Sequence, residues 1–304
     1  MRTAVVVGAG VGGLAAAGVL ARSGWAVTLL DRAERVSSER TALVLWPNGV
    51  RALEALGLAG CLPAITSPLP DRGVRRPDGQ WLVQPRPRTT GVEAPLVVRR
   101  EDLHDALVAS LGDRVDIRTG VSVGPVRVGG GRRPAINDGA RALEVDLLVA
   151  ADGIDSAVRR QLAPEATVVS SGCVAWRAVI PWYRAPRLPA DVATGGETLG
   201  GGYRFVTVML GDPAAVGGGI YWVATAAGAL RPEPPARQLA LLRRWLADWH
   251  APIGDLLAAT EPDDLVHQEV RELRPLPRAY GFPSGSGGVV LLGDAAHAMP
   301  PHLS

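Results

Sequence analysis

Short uninterrupted apolar runs alternate along this chain with longer amphipathic ones. Thr3–Val7, Ala26–Leu30, 145–150 and 289–292 are brief, largely β-branched or leucine-rich runs, the pattern of strands buried on both faces of a parallel sheet. Small residues over 14–22 predict a helix stopped by Ser23-Gly24. A helix over 101–111 places Leu103, Leu107 and Leu111 on one face, and another runs through Arg51 to Leu56 until Gly57 closes it. Elsewhere the period is nearer two. Residues 68–96 carry proline, glycine and short alternating runs, with Pro77-Asp78-Gly79-Gln80 as a hairpin turn. Strands are also expected at 115–117, 121–128, 174–180, 203–210 and 219–225. A covering helix is expected over 236–249, with Leu239, Leu242, Leu246 and Trp249 on one side. The pattern is α/β: a parallel-sheet domain in three pieces, 1–67, 97–170 and 266–304, with a mainly β part inserted as 68–96 and 171–265.

The first strand runs into Gly8-Ala9-Gly10-Val11-Gly12-Gly13, in which Gly8, Gly10 and Gly13 satisfy G-x-G-x-x-G. Strand, glycines, helix, strand and acid follow in the order a dinucleotide site requires. Gly8 allows the tight turn, Gly10 lets backbone approach a pyrophosphate, and Gly13 lets the helix pack on the strand. The helix N-terminus offers free N–H groups and the positive end of its dipole. Asp31, with Arg32 after it, ends the second strand about 20 residues on, where a carboxylate accepts from ribose hydroxyls. This motif alone does not choose between NAD, NADP and FAD.

Composition narrows the chemistry. The 304 residues allow one large or two ordinary domains. A net charge of +2 gives no reason to expect nucleic acid. All 32 basic side chains are arginine, which removes a Schiff-base or P-loop lysine from consideration. The 37 glycines and 25 prolines punctuate apolar segments and read as turns rather than disorder. Cys61 and Cys173 stand in no metal or redox spacing, which suits free thiols in a reducing compartment. Residues 4–21 carry no charge and mimic a signal peptide or a span, but five glycines divide them into strand, loop and helix. A cytoplasmic protein with no stable membrane insertion is expected.

Two further motifs leave the later buried strands: Asp152-Gly153 after 145–150, and Gly293-Asp294-Ala295-Ala296-His297 after 289–292. With the N-terminal glycines, these three ordered motifs resemble the FAD-dependent aromatic hydroxylase family, the single-component flavin monooxygenases of the para-hydroxybenzoate hydroxylase and salicylate hydroxylase type. The resemblance covers essentially the whole chain. It implies a Rossmann-like FAD-binding domain with an inserted, mainly β-sheet substrate domain. It also implies roles at matching positions. Gly8, Gly10, Gly12 and Gly13 would take the FAD pyrophosphate, and Asp31 with Arg32 the ribose side. Arg100 would meet the flavin nucleotide. Asp152 and Gly153 form the motif associated with FAD and NAD(P)H binding. Gly293 and Asp294 lie on the ribityl side, and Pro301 beside the isoalloxazine and substrate, the one position assigned to the reacting centre. Trp176-Arg177 and Tyr221-Trp222 resemble strand segments of the substrate domain.

The implied reaction uses NAD(P)H to reduce FAD and O2 to form a flavin C4a-hydroperoxide, which hydroxylates a small aromatic or polyketide-like substrate. The partners are therefore a small molecule and O2, in a monomer or homodimer, with no metal. The substrate-activating base is not legible; Tyr203 and Tyr221 are candidates by location only, and His297 reads as structural. An epoxidase of the same family, or a flavin-fold remnant without catalysis, stays open. Two departures from the family pattern stand out. Arg40 and Ala42 replace small residues ahead of Trp46-Pro47-Asn48, and the sequence stops at Ser304 before the family's next glycine turn and long helix, which implies a chain truncated at its C-terminus.

Overall fold

The computed structural model describes residues 1–70, 73–85, 93–188, 195–212 and 217–300. Six strands form the first sheet, in the spatial order Gly281–Ser284, Gly287–Leu291, Leu147–Ala150, Thr3–Val7, Ala26–Leu30 and Val115–Arg118. All pairings are parallel except the outer hairpin between the first two. The chain leaves Thr3–Val7 toward one edge and later returns to fill the other. The sheet therefore has a switch point between Thr3–Val7 and Leu147–Ala150, where open α/β sheets bind their ligands. Val7 stands opposite Ala150, and Ala150 opposite Leu291. Three consecutive parallel strands thus end at one level, and each delivers one of the three motifs there. Val6, Leu14, Leu29, Leu103, Leu107 and Leu111 bury the helices Val11–Arg22 and Arg100–Leu111 against this sheet.

The second sheet has seven strands, in the order Val266–Leu273, Val168–Pro181, Gly219–Ala227, Tyr203–Leu210, Gly196–Gly200, Val74–Arg75 and Trp81–Val83. Alternation gives it two faces. Trp176, Ala178, Ile180, Phe205, Trp222 and Ala224 bury one face under the helices Pro235–Trp245 and Ile253–Ala259. The indole of Trp222 stacks on Phe205 and donates to Thr260 Oγ1 at 2.9 Å, so the buried N–H is satisfied. The tryptophans of this half mainly fill a core. The other face carries Val179, Val206, Val208, Tyr221 and Val223.

Three expectations change. The helix expected over 236–249 ends at Trp245, the chain turns, and Pro252 caps a second helix, Ile253–Ala259, while Trp249 still packs at the margin of the same core. Of 121–128 only Val126–Arg127 is strand; the rest bonds irregularly, through Val121 N–H to Asp31 O and Gly124 N–H to Asn137 O, yet Val121 and Val123 still face a core. The expected boundaries near 170 and 265 also shift. Val168–Pro181 starts before the first, and Val266–Leu273 lies beyond the second but pairs with it antiparallel in the seven-stranded sheet. The hairpin at 77–80 forms, with Gly79 at φ +86°.

Among the described residues no helix is long and apolar enough to cross a membrane.

Candidate functional site

The glycine loop shows which of its glycines the protein itself requires. Gly8 has φ +100°, and a Cβ there would lie 2.2 Å from the Ala151 carbonyl oxygen. A Cβ on Gly13 would lie 1.9 Å from the carbonyl oxygen of Gly8. Both positions are closed by backbone. Gly12 would only touch the Leu292 side chain at 3.8 Å. Gly10 differs: its φ is −70°, and a Cβ would meet nothing within 4 Å. It caps the helix Val11–Arg22, which has no side-chain cap and no acidic residue in its first turn. No side chain caps the first N–H groups of that helix, and Gly10 and Val11 line the cleft beside it.

Asp31 reaches back to this loop. Its Oδ2 accepts from Ala9 N–H at 2.6 Å and its Oδ1 from Ala33 N–H at 2.8 Å. Each oxygen keeps a further lone pair for a hydroxyl donor. Arg32 is exposed, and its charge acts on Asp155. A cleft of about 160 Å³ opens beside the loop, lined by Ala9, Gly10, Asp31, Glu39, Arg100 and His104 among others.

A second cleft of about 540 Å³ lies between the two sheets. Ile154, Asp294 and His297 line it from the motif loops, and Arg177, Gln268 and Arg271 from the seven-stranded sheet. Glu39 and Arg100 line both clefts. Arg100 opens its helix, and its Nη1 lies 3.8 Å from Glu39 Oε2. The two clefts therefore adjoin at the Glu39–Arg100 pair, and between them they are lined by residues of the first and third motifs and by Ile154 beside the second.

The Asp152 carboxylate caps the helix Ala157–Leu162: Oδ2 accepts from Ala157 N–H at 2.8 Å and Val158 N–H at 3.4 Å. Ser156 Oγ accepts from Arg159 N–H at 2.9 Å, so Ser156 fills the N-cap position proper. Gly153 and Gly293 have φ of +78° and +62°, and a Cβ on either would meet nothing. Pro301 lies outside the described residues.

Of five buried side-chain polar atoms without a partner among the described residues, four belong to Arg100, His104, Asp152 and Arg159, on or beside these loops. Buried polar groups are ordinarily satisfied. Their concentration here, with the open Gly10 and the free helix N-terminus, fits an elongated ligand carrying a diphosphate and hydroxyls. FAD has that donor and acceptor set.

Several contributors carry no local sequence signal. Arg159 is fully buried and donates to Ile154 O at 2.5 Å and Ala295 O at 3.4 Å, joining the second and third motif loops. Three guanidiniums line the large cleft. Arg100 has Glu39, and Arg271 binds Asp155 through both nitrogens at 2.9 and 3.1 Å. Arg177 pairs with no carboxylate among the described residues; with the Gln268 amide turned so that both groups are satisfied, its oxygen accepts from Arg177 at 3.1 Å from Nη2. Tyr221 shares this sheet face. Burial pushes its phenol above the ordinary tyrosine value, only partly offset by Arg177, so it stands neutral and suits hydrogen bonding better than proton abstraction. Tyr203 packs on Trp245 in the helix-covered core at 5.9 Å, away from the cleft.

The Arg271–Asp155 pair ties the second motif loop to the seven-stranded sheet. Its hydrogen bonds hold the Asp155 carboxyl below the ordinary aspartate range. A depressed folded value gives stability that is present above the unfolded value near about 3.9 and lost as pH falls through the lower folded value. Both side chains are over one third exposed, at 47% and 37%, so solvent screening limits the gain to under about 1 kcal/mol. Asp155→Asn is expected to lower stability by that small amount at neutral pH. The difference should hold down to about pH 4 and close below it, which urea unfolding at several pH values measures.

Residues 1–193 match the family model described as FAD binding domain. The chain is 30% identical over 315 residues to the aurachin C monooxygenase/isomerase of Stigmatella aurantiaca, covering 99% of this chain and 76% of that protein. It is 33% identical over 309 residues to the 2-heptyl-3-hydroxy-4(1H)-quinolone synthase of Pseudomonas aeruginosa, with the same coverage. Klebsiella pneumoniae HpxO, solved with FAD and uric acid, shares the fold at a TM-score of 0.80 and 23% identity, over 99% of this chain and 75% of HpxO.

Proposed function

The chain belongs to the FAD-binding-domain family of FAD-dependent monooxygenases, and from that premise we propose that it hydroxylates a small aromatic or polyketide-like substrate with NAD(P)H and O2. The observation that carries this reading is that the two clefts adjoin at Arg100 and Glu39. An extended dinucleotide would run from the smaller cleft into the larger, with a planar substrate beyond it. In this reading the six-stranded sheet is the cofactor domain and the seven-stranded sheet the substrate domain.

The glycine loop and the free helix N-terminus would take the diphosphate, with Asp31 on the ribose. Arg100 would sit where the nucleotide passes from one cleft to the other, and Asp294 near the ribityl hydroxyls. When bound and reduced, the flavin supplies the activation of O2 and the transfer of one oxygen atom. The chain's own residues do the rest. Val179, Val206, Val208 and Val223 make the sheet face beside Arg177 apolar and pack with Leu69 and Val97. Arg177, held by Gln268, presents a guanidinium without a carboxylate to the cleft. It would hold a carbonyl or phenolate oxygen of the substrate and fix the ring's orientation. Keto- and hydroxy-heteroaromatics are the first class to test, since the named relatives include a quinolone enzyme and one solved with uric acid.

The experiment is substrate-dependent NAD(P)H oxidation and O2 uptake by the FAD-loaded chain, with product mass analysis across phenols, quinolones and purines. A product heavier by one oxygen, formed in step with NAD(P)H use, supports the reading. An epoxide product would move the assignment within the family. Flavin reduction with no oxygenated product from any class would contradict it.

A further inference from the structure

We propose that His104 is a positioning residue that holds the glycine loop in its diphosphate-binding shape. The inference rests on the FAD reading above and adds a residue that none of the three motifs contains. His104 lies one turn after Arg100 on the helix Arg100–Leu111, and its side chain is 2% exposed. Its Nε2 stands 2.9 Å from the carbonyl oxygen of Ala9. A carbonyl only accepts, so Nε2 carries a hydrogen and donates.

Ala9, between Gly8 and Gly10, is therefore gripped from two sides. Asp31 takes its N–H at 2.6 Å and His104 takes its carbonyl at 2.9 Å. The carbonyl of Ala9 and the N–H of Gly10 belong to one planar trans peptide and point opposite ways. Fixing the carbonyl against His104 fixes the direction of the Gly10 N–H beside the cleft. Without that bond the peptide can rotate, because neither side of it carries more than a methyl group.

The identity of the residue supports a loop-directed role. Its buried neighbours on the helix are Leu103, Leu107 and Leu111. Among the described residues His104 Nδ1 has no hydrogen-bond partner, and the nearest carboxylate, Asp105 Oδ1, is 3.9 Å away on an exposed side chain. An unmade buried hydrogen bond is destabilising, and a leucine would avoid it. Local inconsistencies of this kind concentrate at functional positions. The compensating contact is the bond to the loop.

The test is calorimetric titration of the apo chain with FAD, ADP and adenosine, for wild type, His104→Leu and His104→Gln. Glutamine places its amide nitrogen about as far along the side chain as Nε2 and can donate to Ala9. His104→Leu is expected to weaken FAD and ADP by about tenfold or more while leaving adenosine unchanged, and His104→Gln to stay within about threefold of wild type. If circular dichroism shows that His104→Leu does not fold, His104→Asn, too short to reach Ala9, replaces it with the same expectation. Equal losses for all three ligands, or no loss for FAD and ADP, would overturn the proposal. A wild type that binds FAD beside an unaffected His104→Leu overturns this inference alone. A wild type that binds neither FAD nor ADP overturns the FAD reading with it.

Discussion

Gly10→Val is expected to fold like wild type and to lose FAD affinity by at least about a thousandfold, about 4 kcal/mol. The expectation comes from the different surroundings of the loop's glycines. A Cβ at Gly10 meets no protein atom within 4 Å, and the backbone there has the ordinary φ of −70°, so neither contact nor backbone strain at that position opposes a β-carbon. The valine would instead occupy the space beside the helix N-terminus, where backbone must come close to a pyrophosphate. Gly13→Ala is the contrasting case. Its Cβ would sit 1.9 Å from the Gly8 carbonyl oxygen, so helix and strand must separate and the apo protein itself should lose stability. Thermal unfolding of the apo forms and FAD titration separate the two effects. A Gly10→Val that binds FAD normally would move the diphosphate away from this loop.

Arg177→Gln is expected to retain FAD and to lower kcat/KM for the substrate by about 10- to 100-fold, the range for removing a charged hydrogen-bond donor from a half-buried site. Arg177 sits mid-strand on the sheet face opposite Trp176, so alternation turns it away from the core and toward the cleft. Of the cleft's three guanidiniums it is the one without a carboxylate among the described residues. An anionic or carbonyl oxygen is the partner that geometry invites. Arg177→Lys keeps the charge but loses the planar fork, and should recover only part of the loss. Steady-state kinetics with FAD occupancy measured in the same samples decides the point. Unchanged kinetics in Arg177→Gln would remove this residue from the substrate site.

The cofactor side was more legible than the substrate side for a physical reason. Gly8, Gly153 and Gly293 announce turns through local backbone chemistry, and each motif directly follows a short buried strand. Reading them needs only neighbours in sequence. Their meeting depends on the register that sets Val7 beside Ala150 and Ala150 beside Leu291, a parallel pairing across more than a hundred residues that no window contains. Arg177, Gln268, Arg271 and Glu39 converge only through sheet pairing and the approach of the two sheets. The strand Val266–Leu273 reads VHQEVREL, half polar, with Gln268, Glu269 and Arg271 lining the cleft, so no apolar run marks it in the sequence, and its place in the seven-stranded sheet comes from pairing with Val168–Pro181. His104 and Arg159 look like ordinary helix residues, since their partners, Ala9 O, Ile154 O and Ala295 O, are backbone atoms.

FAD is expected to bind from the glycine loop past Arg100 to the face bearing Arg177. Visible absorbance of the purified chain, mixed with FAD and then desalted, tests it most directly. Flavin bands should stay with the protein at one FAD per chain and be absent from Gly10→Val treated the same way. A wild-type protein that emerges colourless, or a Gly10→Val that keeps its flavin, would contradict it.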